Sequence, residues 1–166
     1  MSHVGSGQAA VPPHIDAAMR LALSEARDAA RAGEVPVGAV VLHGDLVVAQ
    51  AQNQMVRDRD ATSHAELLAL REAAVVVGDA RLTECTLVVT LEPCAMCAGA
   101  IVLSRVGSLV FGAWDDKAGM CGSVGDLVRH PRLNHQPEVR GGVCDVESAA
   151  LLREFFAGRR AGASTG

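Results

Sequence analysis

Residues 90–100 read TLEPCAMCAGA. The first half closes "CTLVVTLE", an apolar run from Cys85 of the kind that makes a short strand buried on both faces. From Pro93 the chain continues as "PCAMCAGAIVLSR", a predicted helix with Pro93 close to the favoured first position. A strand that runs straight into a helix predicts a layered α/β domain. Cys94 and Cys97 sit where the two meet. Residues three apart share one face of a helix, and a helix N-terminus favours the thiolate. Such a pair can be half of a metal site, a thioredoxin-like redox pair, or two buried thiols acting as small hydrophobes.

The flanking chain supplies the rest of the domain. Upstream, "IDAAMRLALSEARDAARAGE" places Ile15, Ala18, Met19, Ala22, Ala26 and Ala29 on one helical face, with Asp16 in the first turn and Gly33 as the stop. "VPVGAVVLHGDLVVAQAQN" reads as a hairpin that turns at His43, Gly44 and Asp45. "TSHAELLALREAAVVVG" predicts a second helix, with Leu67, Leu70, Ala74 and Val77 inward and Gly78 at its end. Downstream come the strand "VGSLVFGAW", a long loop over 115–137, a short strand at 138–141 and a final helix, "DVESAALLREFFAGRR". The alternation predicts a mixed sheet covered by helices.

The 166 residues suit one domain, expected over 15–160, with a disordered extension at 1–14 and a flexible tail at 161–166. Hydrophobic residues make up 49%, but there are only three Phe, one Trp and no Tyr. Ala and Val therefore fill the core, and the layers should pack closely. The start lacks a basic segment followed by an apolar one, and no apolar run approaches the roughly 20 residues of a membrane span. A cytoplasmic protein is expected, where paired cysteines point to metal or redox work more than to disulfides. The formal net charge of −4 argues against a protein that coats nucleic acid nonspecifically.

Six histidines compete for the place of a third ligand. His3 and His14 fall in the flexible start, His43 in the hairpin turn, His130 and His135 in the long loop. His64 opens a helix. Alone it reads as a satisfied core or capping histidine, and Ser63-His64-Ala65-Glu66 fits a capping box. Beside Cys94 and Cys97 the weighing changes. His-x-Glu opening one helix and Pro-Cys-x-x-Cys opening the next resembles the motif of zinc deaminases of nucleobases. Three protein ligands, His64, Cys94 and Cys97, leave one tetrahedral position open, which distinguishes catalytic from structural zinc. Glu66, two residues past His64, does not share its helical face. It is placed to reach a water and move protons rather than to ligate. Cys85 and Cys121 are the nearest alternatives, and either would close the site.

Beyond that motif the chain resembles the bacterial tRNA-specific adenosine deaminases over roughly 15–160. "EVPVGAVV", "HAELLALREA", "TLEPCAMCAGAIVLSRVGSLVFGA", "GSVGDLVRHPRLNHQPEV" and "ALLREFFAGRR" carry the likeness in order. The resemblance implies a cytidine-deaminase-like fold, a five-stranded sheet in a three-layer α/β/α arrangement, working as a homodimer with one zinc ion per subunit. It implies hydrolytic deamination of adenosine to inosine at the wobble position of tRNA, with the anticodon stem-loop as partner. Glu66 then matches the catalytic acid/base, and His64, Cys94 and Cys97 the zinc ligands. Asn53 matches a purine contact and Ala65 a backbone contact. Asp115 and Lys117, in "AWDDKAG", match a loop beside the anticodon, and Phe156 and Arg159 match RNA-facing helix positions. Ala61 stands where a Pro is usual, and Trp114 where the residue is commonly smaller or charged. Between Arg129 and Arg160 six Arg face four acidic residues, so RNA binding should rest on shape and on bases held in pockets.

Two other readings remain open. A deaminase of free bases or nucleosides, of guanine or cytosine type, shares both motifs and suits the acidic charge. A zinc-stabilised binding module without catalysis requires a fourth protein ligand.

Overall fold

The computed structural model describes residues 9–163. Its elements are α1 Pro13–Arg31, β1 Gly38–His43, β2 Leu46–Gln52, α2 Met55–Asp58, α3 Ala65–Val77, β3 Cys85–Leu91, α4 Ala95–Leu103, β4 Ser108–Ala113, β5 Glu138–Arg140 and α5 Asp145–Ala163. One five-stranded sheet runs β2-β1-β3-β4-β5. β1 pairs antiparallel with β2 and β3, while β3, β4 and β5 run parallel. The hairpin accounts for the β1–β2 pair, and the chain reaches β3 from β2 through α2 and α3. The parallel half needs a crossover, and α4 provides it between β3 and β4.

The strands are apolar on both faces because both faces are covered. Ala39, Val41, Leu87, Val89, Leu109 and Phe111 enter one core with Ala65, Ala69 and Ala98 of α3 and α4. Val40, Leu42, Val88 and Val110 point the other way, onto Ile15, Met19, Ala22 and Leu23 of α1. This period-two split makes the three-layer α/β/α arrangement that the sequence led us to expect.

Small residues set the layer spacing. At Gly38, where β1 begins, a Cβ would run into Ala22 O and stand 2.8 Å from Ala26 N. Gly78 ends α3 in the left-handed region, at φ 77°, where glycine carries no steric penalty.

Several expectations shift. Pro13 and His14, assigned to the flexible start, form the first turn of α1. α5 runs on to Ala163, into the segment expected to be a tail. His3 and the rest of 1–8, and 164–166, lie outside the described residues. Pro93 precedes the N-cap of α4, which is Cys94. The inward face of α3 is Ala65, Glu66, Ala69, Leu70 and Ala73, while Leu67, Ala74 and Val77 are half-buried. The pattern favours the larger side chains, but the narrow gap above β1 and β2 takes alanine. The short helix α2 has no counterpart among the expected elements, since four residues carry no periodicity.

Close packing at Gly38 is testable by urea unfolding. Gly38→Ala should cost about 1–3 kcal/mol through overpacking. Gly158→Ala, on α5 with nothing within 4 Å of an added Cβ, should gain up to about 1 kcal/mol.

Candidate metal centre

Two helices on the same face of the sheet begin next to each other. His64 is the N-cap of α3, extended at φ −77° and ψ 148°. Cys94 is the N-cap of α4, extended at φ −75° and ψ 178°. Cys97 lies in the first turn of α4 and is buried. Nδ1 of His64 stands 3.7 Å from Cys94 Sγ and 3.5 Å from Cys97 Sγ, and the three donor atoms lie within 4.8 Å of one another. Tetrahedral zinc, with Zn–S of about 2.3 Å and Zn–N of about 2.0–2.1 Å, needs a sulfur–nitrogen edge of about 3.6 Å. The donor set therefore fits one such ion as it stands. Among the described residues, it is the one group of three His, Cys, Asp or Glu side chains that could hold a metal.

The electrostatics of the three groups are coupled. The hydrogen bond with Cys97 holds the Cys94 thiol down at about 3, and His64 adds to this. Cys94 and burial push Cys97 up. The hydrogen bond with Cys94 raises His64. Protons shared among three such donors are what a divalent cation displaces on binding.

Glu66 is buried beside them, 4% exposed, with Oε2 3.5 Å from Cys97 Sγ. Burial pushes its carboxyl pKa up. The capping box does not form. The N-cap is His64 rather than Ser63, and α3 has no side-chain capping bond, so Glu66 sits one position too early and faces the site instead.

Above these groups opens a cavity of about 170 Å³. His64, Ala65, Glu66 and Cys94 form its floor. Val35, Asn53 and Met55 line it as one hydrogen-bonded group, and Glu92, Asp115 and Ala118 as another. Asn53 is buried. Its Nδ2 donates to Val35 O at 3.4 Å, and its Oδ1 accepts from Met55 N at 3.3 Å. A second N–H and a second lone pair stay available on that amide. Asp115 Oδ1 accepts from the backbone N–H of Lys117 and Ala118, at 3.0 and 3.2 Å. Lys117 is exposed and does not line the cavity.

Phe156 and Arg159 lie further out. Phe156 is exposed. Arg159 stacks its guanidinium over Phe155 at 4.6 Å and donates to Gly33 O at 2.9 Å. This residue docks α5 on the α1–β1 turn, two residues from Val35 of the cavity wall. Trp114 packs edge-on against Phe111, 4.8 Å between centroids, and a Cβ at Gly141 would collide with both rings. The large residue there thus fills space that a glycine leaves. Ala61 lies in an exposed turn.

Neither alternative ligand joins the group. Cys121 Sγ faces Pro93 O at 3.9 Å, and burial lifts its pKa to about 12. Cys85 lies at the opposite end of β3 from Cys94, beside His43 in the ladder.

Two residues at the site were missed in the sequence. Glu92 is 2% exposed and Glu34 likewise. Glu34 accepts from Val56 N and Arg57 N, and Glu92 from loop donors described below. Their signal was available: each is an acid inside or beside an apolar strand, and a buried carboxylate requires donors.

A mixed sheet with two helix starts presenting His-x-Glu and Cys-x-x-Cys defines a deaminase of the cytidine-deaminase-like fold. The family model of MafB19-like deaminases matches residues 14–160. The tRNA-specific adenosine deaminase of Bacillus subtilis is 46% identical, across 83% of this chain and 86% of its own. A Deinococcus radiodurans protein named tRNA(Ile)-lysidine synthase is 51% identical, but the match spans only 25% of that longer protein. A solved structure from work on tRNA:A34 deaminases superposes with a TM-score of 0.79 at 41% identity, covering 82% of this chain and 99% of that one. Guanine deaminase from Nitrosomonas europaea superposes at 0.75 with 26% identity, covering 93% and 99%. The chain belongs to the family of bacterial tRNA-specific adenosine deaminases.

Elemental analysis of purified protein separates the cysteines. Cys121→Ser should keep about one zinc per chain, whereas Cys97→Ser should fall well below about half of that.

Proposed function

We propose that this protein is a zinc-dependent hydrolase that deaminates adenosine to inosine at the wobble position, A34, of tRNA. The observation that carries the reading is the buried Glu66 carboxyl, in contact with Cys97 and opening onto the cavity. His64, Cys94 and Cys97 hold the ion, one per subunit. Zinc in a three-ligand site supplies Lewis acidity that brings a water's pKa close to neutrality.

The chain's own groups do the rest. Burial raises Glu66 towards the range in which a carboxyl both takes and gives a proton. Glu66 accepts one proton from the attacking water and delivers it to N1 of adenine; it then takes the proton of the hydroxyl formed at C6 and passes it to the amine, so that C6=O forms as the C6–N bond breaks. Water is consumed and ammonia released, with inosine as product. The cavity falls short of the roughly 300–1,000 Å³ of drug-sized sites, which suits a single base inserted from a loop. Asn53 and the backbone at Ala65 hold that base, and a wobble base is already unpaired, so moving it costs little.

The rest of the RNA lies outside the cavity. Asp115 and Lys117 meet it on one side, Phe156 and Arg159 on the other. The named activities of the relatives in Bacillus subtilis and Deinococcus radiodurans both concern tRNA. Val75, Val76 and Leu103 are exposed on α3 and the end of α4, apolar surface of the kind a second subunit covers. That supports a homodimer. None of the described helices is long and apolar enough to cross a membrane, in keeping with a cytoplasmic enzyme.

An A34 anticodon stem-loop, with G34 and free guanine, cytosine and adenosine as controls, tests the substrate. Inosine should form from the A34 RNA and the controls should stay unchanged; turnover of free bases alone would overturn the reading. Glu66→Ala should keep its zinc and lose about 10²–10⁴-fold in kcat, and a variant near the wild-type rate would refute the proton-transfer role.

A further inference from the structure

Glu92 stands between β3 and the Pro93–Cys94 step, and its carboxylate is buried. All four donors described around it come from the loop after β4. Oε2 accepts from Asp115 N at 2.8 Å and from Ser123 Oγ at 2.5 Å. Oε1 accepts from Cys121 N at 3.1 Å and from Ser123 N at 3.0 Å. Backbone bonds run alongside: Glu92 N donates to Ala113 O at 2.8 Å, and Met120 N to Pro93 O at 2.9 Å. Gly119 is pressed against the carboxylate, and a Cβ there would overlap it. The loop is therefore wrapped around one side chain.

The two ends of this arrangement reach the site from opposite directions. One peptide group and Pro93 separate Glu92 from Cys94. Through Asp115 N the carboxylate holds the turn in which Asp115 Oδ1 collects the N–H groups of Lys117 and Ala118, and Asp115 and Ala118 line the cavity together with Glu92 itself. Resting on the adenosine deaminase reading above, we propose that Glu92 is a positioning residue that fixes the distance between Cys94 and the Asp115–Ala118 wall, and thereby substrate affinity.

The isosteric variant Glu92→Gln localises the effect. An amide nitrogen in the place of Oε1 would face two backbone N–H groups. In the place of Oε2 it would face Asp115 N–H and the Ser123 hydroxyl, which can turn and accept. The amide should settle the second way, so that Asp115 N–H alone loses its acceptor. Ser123→Ala removes one of the four donors and leaves the other three.

The test uses zinc-loaded full-length protein and the A34 stem-loop. Losing a buried charged hydrogen bond should raise KM about tenfold in Glu92→Gln, with kcat within about threefold and the zinc-to-protein ratio unchanged. Ser123→Ala should raise KM about two- to threefold, in line with loss of a weaker bond. Hydrogen exchange should quicken at 115–119 and stay slow in β3 and α4. Wild-type KM together with wild-type exchange overturns the proposal. So does a loss of zinc with loop exchange unchanged, since that makes Glu92 a support for the metal alone. Should Glu92→Gln fail to fold, Ser123→Ala decides by the same two readouts. A wild-type protein inactive on the A34 RNA would sink the substrate reading instead, and exchange and zinc content would still settle whether Glu92 holds the wall.

Discussion

Everything at this site depends on two helices starting at one point. The starts of α3 and α4 bring one imidazole nitrogen and two sulfurs together, with both nitrogen–sulfur distances near the edge of tetrahedral zinc. This requires α3 and α4 to lie close on the same face of the sheet, which in turn requires small side chains beneath them. Ala65, Ala69, Ala73 and Ala98 are fully buried there. The scarcity of aromatics is thus a consequence of thin layers rather than an oddity of composition. Helix N-termini also carry partial positive charge, and Cys94, at the N-cap, is the thiol held low.

The same constraint decides what Glu66 does. Had Ser63 capped α3, Glu66 would have bonded back to the helix start in an ordinary capping box. Because His64 takes that place, the helix begins one residue later and the carboxyl turns to Cys97. A buried carboxyl beside these donors is available for the proton transfers proposed above, whereas a capping carboxyl would be spent on the backbone.

Much of this was legible in the chain. The hairpin turn at Gly44, the apolar β3 strand and the stop at Gly78 follow from local chemistry, whereas the grouping of His64 with Cys94 and Cys97 comes from the likeness of His-x-Glu and Pro-Cys-x-x-Cys to a zinc-deaminase motif, and the three donors do lie together. The inward face of α3 was misjudged by favouring Leu67 over Ala69, because layer thickness is a tertiary property. Glu92 and Glu34 escaped notice since their donors lie far along the sequence: the loop at 115–123 for the first, Val56 and Arg57 of α2 for the second. Arg159 shows a further limit. The resemblance set it among the RNA-facing residues, yet its guanidinium is engaged with Phe155 and Gly33, a tertiary contact that no local pattern encodes. Trp114 looked like a departure until Gly141 and Phe111 supplied the space and the ring it packs on.

The central claim is a metal held by one imidazole and two thiolates, with a position left for water. X-ray absorption at the zinc edge of the purified protein tests it most directly. The account predicts two sulfur scatterers at about 2.3 Å and two light N/O scatterers at about 2.0–2.1 Å, one of them exchangeable with a small anion. A shell of three or more sulfurs, or a fourth protein donor that no added anion displaces, would contradict it.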